Sequence, residues 1–411
     1  MNESPQEDDQ VALPERGETE KAHELANTIT MNQLSAKLKR DPSTDLSQLL
    51  KQQANVYPQL RVNLAQAAHQ RCKPTEKEST SSRDNSHASK GDAHELLLKS
   101  PIEITHPLHE KVLMLAGLNG RSSGLASHKA NSDIVVGLNQ AIENSQLLWS
   151  LHGTFVLGLD ASKVVKIGTS LDPDGVSNLQ YINTHVAEIP TPSFLGALNS
   201  GQRSYIFMSR ADGVALDTIW PELTVKHKLS IQEQLNDMFR ALRAKPFNLH
   251  QDDGCTPRIG SFTSGICKDT RRSQRVSKTP IHTEAEFNDF LCHQTGRTVT
   301  PWIKMIRSSL GECHRIVMTH GDLHPRNIMV QWESDGNGTD AEGEDRRIRV
   351  TSLIDWELSG WYPEYWEFVK ALSTISMRGP LADWFEYLPT EAIGSWPVEF
   401  SIDSLLDRWL G

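Results

Sequence analysis

The chain has 411 residues, 37% hydrophobic and 23% charged, a composition that fits a soluble globular protein with length for two or three domains. Its 42 basic and 52 acidic residues leave a formal net charge of -10, which repels phosphate backbones and speaks against nucleic-acid binding. The five cysteines (Cys72, Cys255, Cys267, Cys292, Cys313) are widely spaced with no C-x-x-C pair, against a disulfide framework or a zinc site.

The N-terminus, M-N-E-S-P-Q-E-D-D-Q, is acidic and has no apolar core, so it reads as no secretory signal. No apolar run approaches the roughly 18 residues that span a bilayer, so no membrane is implied and a reducing, cytoplasmic setting is expected. Residues 1–30 and 72–92 are polar with almost no aromatics and cannot bury enough apolar surface to offset chain entropy. Between them Leu46, Leu49, Leu50 and Ala54 recur at helical spacing behind the capping residues Ser43, Thr44 and Asp45. The apolar stretch from Leu96 to Leu118 is interrupted by Pro101 and Pro107. Residues 1–140 are therefore read as a mostly disordered extension with one or two marginal helices, a linker or a protein-binding segment.

Order is expected from Leu147. Thr154–Leu159 and Lys163–Ile167 alternate as strands around a turn at Asp160-Ala161-Ser162, and a helix is predicted over 176–186. Ser204–Met208 reads as a strand, and residues 224–243 carry Leu229, Leu235, Met238, Phe239 and Leu242 at helical spacing. The basic cluster Lys268 to Lys278 lacks aromatics for base stacking and reads as a solvated loop. Thr283 and Glu286 form a capping box for a helix that Gly296 could end. Strands are predicted over 315–319, 327–330 and 348–354, with a polar hairpin tip at 333–345, and a helix over 365–376. A strand-rich front part thus precedes a helix-rich back part.

The residues that carry chemistry lie in T-H-G-D-L-H-P-R-N-I-M-V, Thr319 to Val330, and in S-L-I-D-W-E around Asp355. Phosphoryl transfer asks a protein for a carboxylate to orient and deprotonate the attacking hydroxyl, and for oxygen ligands to Mg²⁺ on the nucleotide phosphates. Asp322 suits the first task; Asn327 and Asp355 suit the second. The alternative is an Asx turn without chemistry, since Asp and Asn favour turns.

This pattern resembles the aminoglycoside phosphotransferase and choline kinase superfamily, its fungal-type branch in particular, over roughly residues 150–411. The resemblance implies an α+β, protein-kinase-like fold: a small β-rich N-lobe over 141–212, a mostly helical C-lobe over 213–411 and the extension 1–140 before them. It implies an ATP- and Mg²⁺-dependent phosphotransferase with Asp322 as catalytic base and Asn327 and Asp355 on magnesium. Lys166 matches the lysine that holds the nucleotide phosphates, and Met208 and Arg210 fall in the hinge that contacts adenine. Two departures stand out. Only Gly153 represents the glycine-rich loop, and Gly175 or Ser177 stands where family members place a glutamate to pair with the lysine, leaving Asp172 or Asp174 as shorter substitutes.

A protein kinase is disfavoured, because Gly321 replaces the arginine before its catalytic aspartate and no long activation segment follows Asp355. A compact pocket for a small acceptor is expected instead, walled by Trp356, Trp361, Tyr362, Tyr365 and Trp366 and charged by Glu357, Glu364 and Glu367. Carboxylates beside aromatics suit an amine-bearing alcohol; the same residues could equally be core. The rival is a non-catalytic kinase-like nucleotide-binding or interaction module.

Overall fold

The computed structural model describes residues 26–27, 30–31, 34, 45–51, 53–54, 57, 95–118, 128–151, 153–169, 171–247, 257–270, 275–293, 300–333 and 346–410. The chain divides into two units, residues 1–85 and 86–411. In the first, residues 46–51 are helical, and Asp45 Oδ1 caps them by accepting the Ser47 N–H at 2.8 Å. The polar segments at 1–30, for the most part, and 72–92, entirely, lie outside the described residues.

The second unit opens with β1 (Ile102–His106), α1 (Glu110–Leu115) and α2 (His128–Glu143), followed by β2 (Gln146–Leu151), β3 (Thr154–Gly158) and β4 (Lys163–Gly168). Then come α3 (Pro173–His185), β5 (Phe194–Ser200) and β6 (Arg203–Ser209). The six strands form one antiparallel sheet in the order β1-β5-β6-β4-β3-β2. The β3–β4 turn is the expected one: Asp160 Oδ1 accepts the Ser162 N–H at 2.7 Å.

The expected boundary at residue 140 is corrected. It falls inside α2, and β1 pairs with β5 from Ile102 opposite Ser200. Leu96, Leu98, Val112, Leu113, Ile134 and Leu138 are buried with Val165 and Phe207 of the sheet. Pro101 and Pro107 do not interrupt an element. They bracket a five-residue strand at the sheet's edge, where a missing N–H is tolerated.

The C-lobe starts with β7 (Val214–Ala215), α4 (Leu216–Ile219) and the long α5 (Val225–Arg243), capped by Thr224. Next are the short strands β8 (Lys268–Asp269) and β9 (Arg275–Val276), then α6 (Glu284–Leu291) and α7 (Pro301–Arg307). The Thr283/Glu286 capping box is present on α6, but the helix ends at Leu291, and Gly296 lies outside the described residues. β10 (Ile316–Thr319), β11 (Ile328–Trp332), β12 (Ile348–Leu353) and β13 (Gly360–Pro363) precede α8 (Trp366–Ser373), α9 (Thr390–Ile393) and α10 (Pro397–Leu410). β10 pairs with β13, and β12, β11 and β7 form a small sheet. The expected hairpin tip lies between β11 and β12, with residues 334–345 outside the described set.

The basic cluster is not merely solvated. Arg275 is buried and pairs with buried Asp269 at 2.6 Å, and Asp269 also takes Lys370 of α8 at 2.9 Å. Among the described residues no helix is long and apolar enough to cross a membrane.

Candidate active site

The H-G-D segment begins where β10 ends. Gly321 has φ 79°, and a Cβ there would stand 2.4 Å from the Leu358 carbonyl oxygen, so only glycine fits both the backbone and the space. Asp322, at 1% exposure, lies at this tight turn. Asn327, five residues on, gives its Nδ2–H groups to the Asp322 backbone carbonyl at 2.9 Å and to Asp322 Oδ2 at 2.8 Å. The D-x-x-x-x-N spacing therefore closes a small ring of hydrogen bonds that fixes both side chains. Arg326 NH2 stands 3.4 Å from Asp322 Oδ1.

Beneath the loop lies Glu367 of α8, fully buried. Its two carboxylate oxygens accept the N–H groups of His320, at 2.6 Å, and Gly321, at 3.3 Å. Burial pushes its pKa up to about 7, against the opposing pull of Arg243 and of those two N–H donors. His320 ties the loop to the next one. Its Nδ1 faces the Asp322 N–H at 3.3 Å and its Nε2 faces the Ile354 carbonyl at 3.0 Å. The first partner can only donate and the second can only accept, so Nδ1 accepts from the loop and Nε2 donates across it.

Asp355 is brought in by strand register. Ile328 of β11 pairs with Leu353 of β12, and the Ile354 N–H donates to the Asn327 carbonyl at 2.9 Å. The chain then turns sharply at Asp355, the single non-glycine residue with positive φ (67°) among those described. Such a conformation is strained for most side chains and tolerated better by Asp. A 3₁₀ turn, Trp356–Leu358, follows.

Lys166 reaches this turn from β4. Its Nζ lies 2.9 Å from Asp355 Oδ1 and 3.1 Å from Glu357 Oε2. Burial alone would lower the ammonium, but the two carboxylates outweigh it and hold its pKa above the usual lysine range. Asp172 and Asp174, the substitutes considered from the sequence, do not serve Lys166. Asp172 caps α3 by accepting the Asp174 N–H at 3.0 Å, and both carboxylates take Lys268 Nζ at 2.5 Å.

Met208 and Arg210 lie at the end of β6 and just beyond it. Met208 pairs with Val164 of β4, two residues from Lys166. Arg210 folds back on the β3–β4 turn, its N–H donating to Ser162 O at 2.8 Å and its guanidinium to Asp160 O at 3.3 Å. That N–H is therefore engaged within the fold. β2 and β3 pair out to Leu151 opposite Thr154.

The expected acceptor walls are corrected. Trp356, Trp361, Tyr362, Tyr365 and Trp366 are all at most 5% exposed. They are core: Trp356 of the 3₁₀ turn and Trp361 of β13 join the buried cluster around α5, and Tyr362, Tyr365 and Trp366 pack with Phe287 of α6, Ile303 of α7 and Leu406 of α10. Glu364 pairs with Arg315 at 2.9 Å, and Glu367 underpins the catalytic loop.

One residue that sequence reasoning missed is Asn178 of α3, fully buried. Its Nδ2 donates to the carbonyls of Trp356 at 3.2 Å and Ser359 at 2.9 Å, and its Oδ1 accepts from Ser261 Oγ at 2.9 Å and the Phe262 N–H at 3.2 Å. A lone amide between Val176, Leu179 and Ile182 on an apolar helix face was the available signal.

A β-sheet lobe and a mostly helical lobe, with the H-G-D loop in the second and a lysine reaching over from the first, define a two-lobed, protein-kinase-like architecture. A profile of the phosphotransferase enzyme family (APH) matches residues 176–395, more than half of the chain, and the protein belongs to that family. Among solved structures it is similar to the GDP and kanamycin complex of APH(2")-IIia, with TM-score 0.43 and 13% identity over 65% of this chain and 83% of that one. It is also similar to a thermostable mutant of the aminoglycoside phosphotransferase APH(4)-Ia with ADP and hygromycin B, at TM-score 0.41 and 16% identity over 65% and 84% of the two chains. Aminoglycoside phosphotransferase APH(3'')-Id from Streptomyces rimosus gives TM-score 0.37 and 15% identity over 64% and 91%. No curated protein sequence matches the chain.

Proposed function

We propose that the protein transfers the γ-phosphoryl group of ATP to the hydroxyl of a small molecule, with Asp322 as general base. What supports this is the carboxylate of Asp322, held by Asn327 Nδ2 at 2.8 Å on a loop that strand register joins to Asp355. In the reaction the acceptor O–H gives its proton to Asp322, a new O–P bond forms, and the bond between the γ-phosphorus and the bridging oxygen breaks to leave ADP.

Magnesium fits the donors present. Both hydrogen bonds from the Asn327 amide use Nδ2, so its Oδ1 and the Asp355 carboxylate are the hard oxygens a small divalent cation takes. Among the described residues no three acidic, histidine or cysteine side chains form a cage, which agrees with an ion that completes its shell with phosphate oxygens and water. When bound, magnesium neutralises charge on the nucleotide phosphates. Lys166 would hold the same phosphates, and the segment from Met208 to Arg210 would border the adenine.

The missing helix glutamate, the short glycine loop and the long polar extension are the features that favour a non-catalytic module; the first of them bears on Lys166. Lys166 has two carboxylate partners without it, which weakens that argument. With the aromatic residues in the core, an amine on the acceptor would be drawn by the acidic surface excess rather than by an aromatic cage. A cytoplasmic setting, where ATP is supplied, goes with this reading. Two measurements test it: Mg·ATP-dependent thermal stabilisation, and ³²P transfer from ATP across a panel of alcohols with and without amines. Stabilisation lost in Asp355→Ala, with transfer to at least one acceptor, is the expected result. Absence of both in the parent protein sinks the proposal.

A further inference from the structure

The α3 helix contains a glycine that its backbone does not require. Gly175 is the third residue of a regular helix and lies outside the positive-φ glycines. Glycine inside a helix costs about 1 kcal/mol relative to alanine, so its presence calls for another cause. The cause is across the lobe boundary. A Cβ on Gly175 would lie 3.3 Å from Glu357 Cβ, tighter than most such contacts, and 3.6 Å from Glu357 Cα, at ordinary packing distance. With only a hydrogen on Gly175, the turn carrying Glu357 lies against α3 without the shift of a few tenths of an ångström that a Cβ would ask for.

The same contact is fixed one helical turn further on. Asn178 donates to the carbonyls on both sides of Glu357, those of Trp356 and Ser359. Lys268, bonded to Asp172 and Asp174 at 2.5 Å, and Ser264 Oγ, donating to Asp174 at 2.8 Å, hold the start of α3 from the C-lobe side. Held so, Glu357 extends to Lys166 Nζ at 3.1 Å.

We infer that Glu357 is the positioning residue for Lys166, doing from the C-lobe what a carboxylate on α3 would do from the N-lobe, and that Gly175 is the complementary half of this exchange. The inference rests on the phosphotransferase reading for its purpose but not for its geometry. A carboxylate at position 175 and one at 357 compete for the same space and the same ammonium, so the two arrangements exclude each other. Orientation of the lysine then depends on the turn that also carries Asp355. Both nucleotide-facing groups, the cation and the carboxylate, are set by one loop.

The experiment measures affinity for ADP without magnesium and for Mg·ATP by calorimetry. Glu357→Gln preserves size and hydrogen bonding and removes the charge. It is expected to weaken both nucleotides about five- to tenfold, as loss of a half-buried charge-assisted bond does. Gly175→Glu alone is expected to weaken them too, by crowding. Gly175→Glu combined with Glu357→Ala, which returns a carboxylate to α3, is expected to recover affinity to within about threefold of the parent. Unchanged affinity in Glu357→Gln overturns the inference. So does a loss confined to Mg·ATP with ADP unaffected, which would make Glu357 a metal ligand.

A double-mutant cycle in urea, pairing Lys166→Met with Glu357→Gln, reads the contact with no nucleotide present. The inference expects the double variant to have a midpoint little lower than either single one, and additive losses would overturn it. If the parent binds no nucleotide, the phosphotransferase reading fails while the cycle still decides the pair. Should the swapped variant not fold, Glu357→Gln and the cycle remain decisive.

Discussion

The two halves of the site are held together in different ways. The loop from His320 to Asn327 is bonded mostly within itself: Asp322 meets both Asn327 and His320, only the far side of the His320 ring reaches out, to the Ile354 carbonyl, and all three residues are at 4% exposure or less with Glu367 buried beneath. The lysine half is assembled over distance. Lys166 meets partners 189 and 191 residues away, from a different lobe, with side chains 18–25% exposed. Buried, fully bonded polar groups keep one geometry, whereas partly exposed ion pairs are weakened by solvent and salt. The loop is therefore a fixed template, and the lysine contact is conditional on how the lobes meet.

The sharpest way to probe the fixed half is Asp322→Asn, which keeps shape but cannot accept a proton. The expected fall in kcat is roughly 100- to 10,000-fold with little change in nucleotide affinity. Matching turnover in variant and parent would remove Asp322 as the base. Gly321→Ala attacks the template itself, adding a Cβ 2.4 Å from Leu358 O at φ 79°. Urea unfolding should show a loss on the order of 2–3 kcal/mol, and a loss below half of that would mean the two loops give way to one another.

Asn178→Ala acts where the halves join. It strips the donor from two buried carbonyls and the acceptor from Phe262 N and Ser261 Oγ. A stability loss of about 2 kcal/mol is expected, together with weaker Mg·ATP binding. Weaker stability with unaltered nucleotide affinity would separate α3 from the lysine half.

The smallest effect concerns pH. Glu367 has a folded pKa of about 7 against an ordinary value of 4.5, so the folded state holds the extra proton. That stability is complete below pH 4.5 and is lost as pH rises through 7. Between pH 5 and 7 the parent should lose about 2 kcal/mol relative to Glu367→Gln. Parallel pH profiles would show that Arg243 and the two N–H donors keep the carboxylate charged at low pH.

How much of this was legible in the sequence follows from the same contrast. The Asp322/Asn327 ring could be read directly because both residues and the glycine lie within seven positions, and β3, β4, β6, α3, α5, β10, β11, β12 and α8 follow apolar periodicity. β1 was hidden by its prolines, and β5 by Gly196, which turns in mid-strand at φ 120°. The Glu357–Gly175 exchange was visible only as an absence on α3, since nothing local ties a helix position to a turn some 180 residues later. For the aromatics after Asp355 the sequence leaves pocket wall and core equally open, because composition cannot separate the two. Only the packing of β13 and α8 against their neighbours does.

The meeting of Gly321 with Leu358 O has a dynamic consequence. With the His320 ring bonded across to Ile354 and Asn327 O to the Ile354 N–H, the Asp322 and Asp355 loops are clasped at three points. Neither can swing out while the other stays. Their amide hydrogens should therefore exchange with deuterium in a single concerted opening, and on the proposed reading the motion that admits and releases nucleotide would fall to the N-lobe, parting from this clasped block as one leaf of a book parts from its spine.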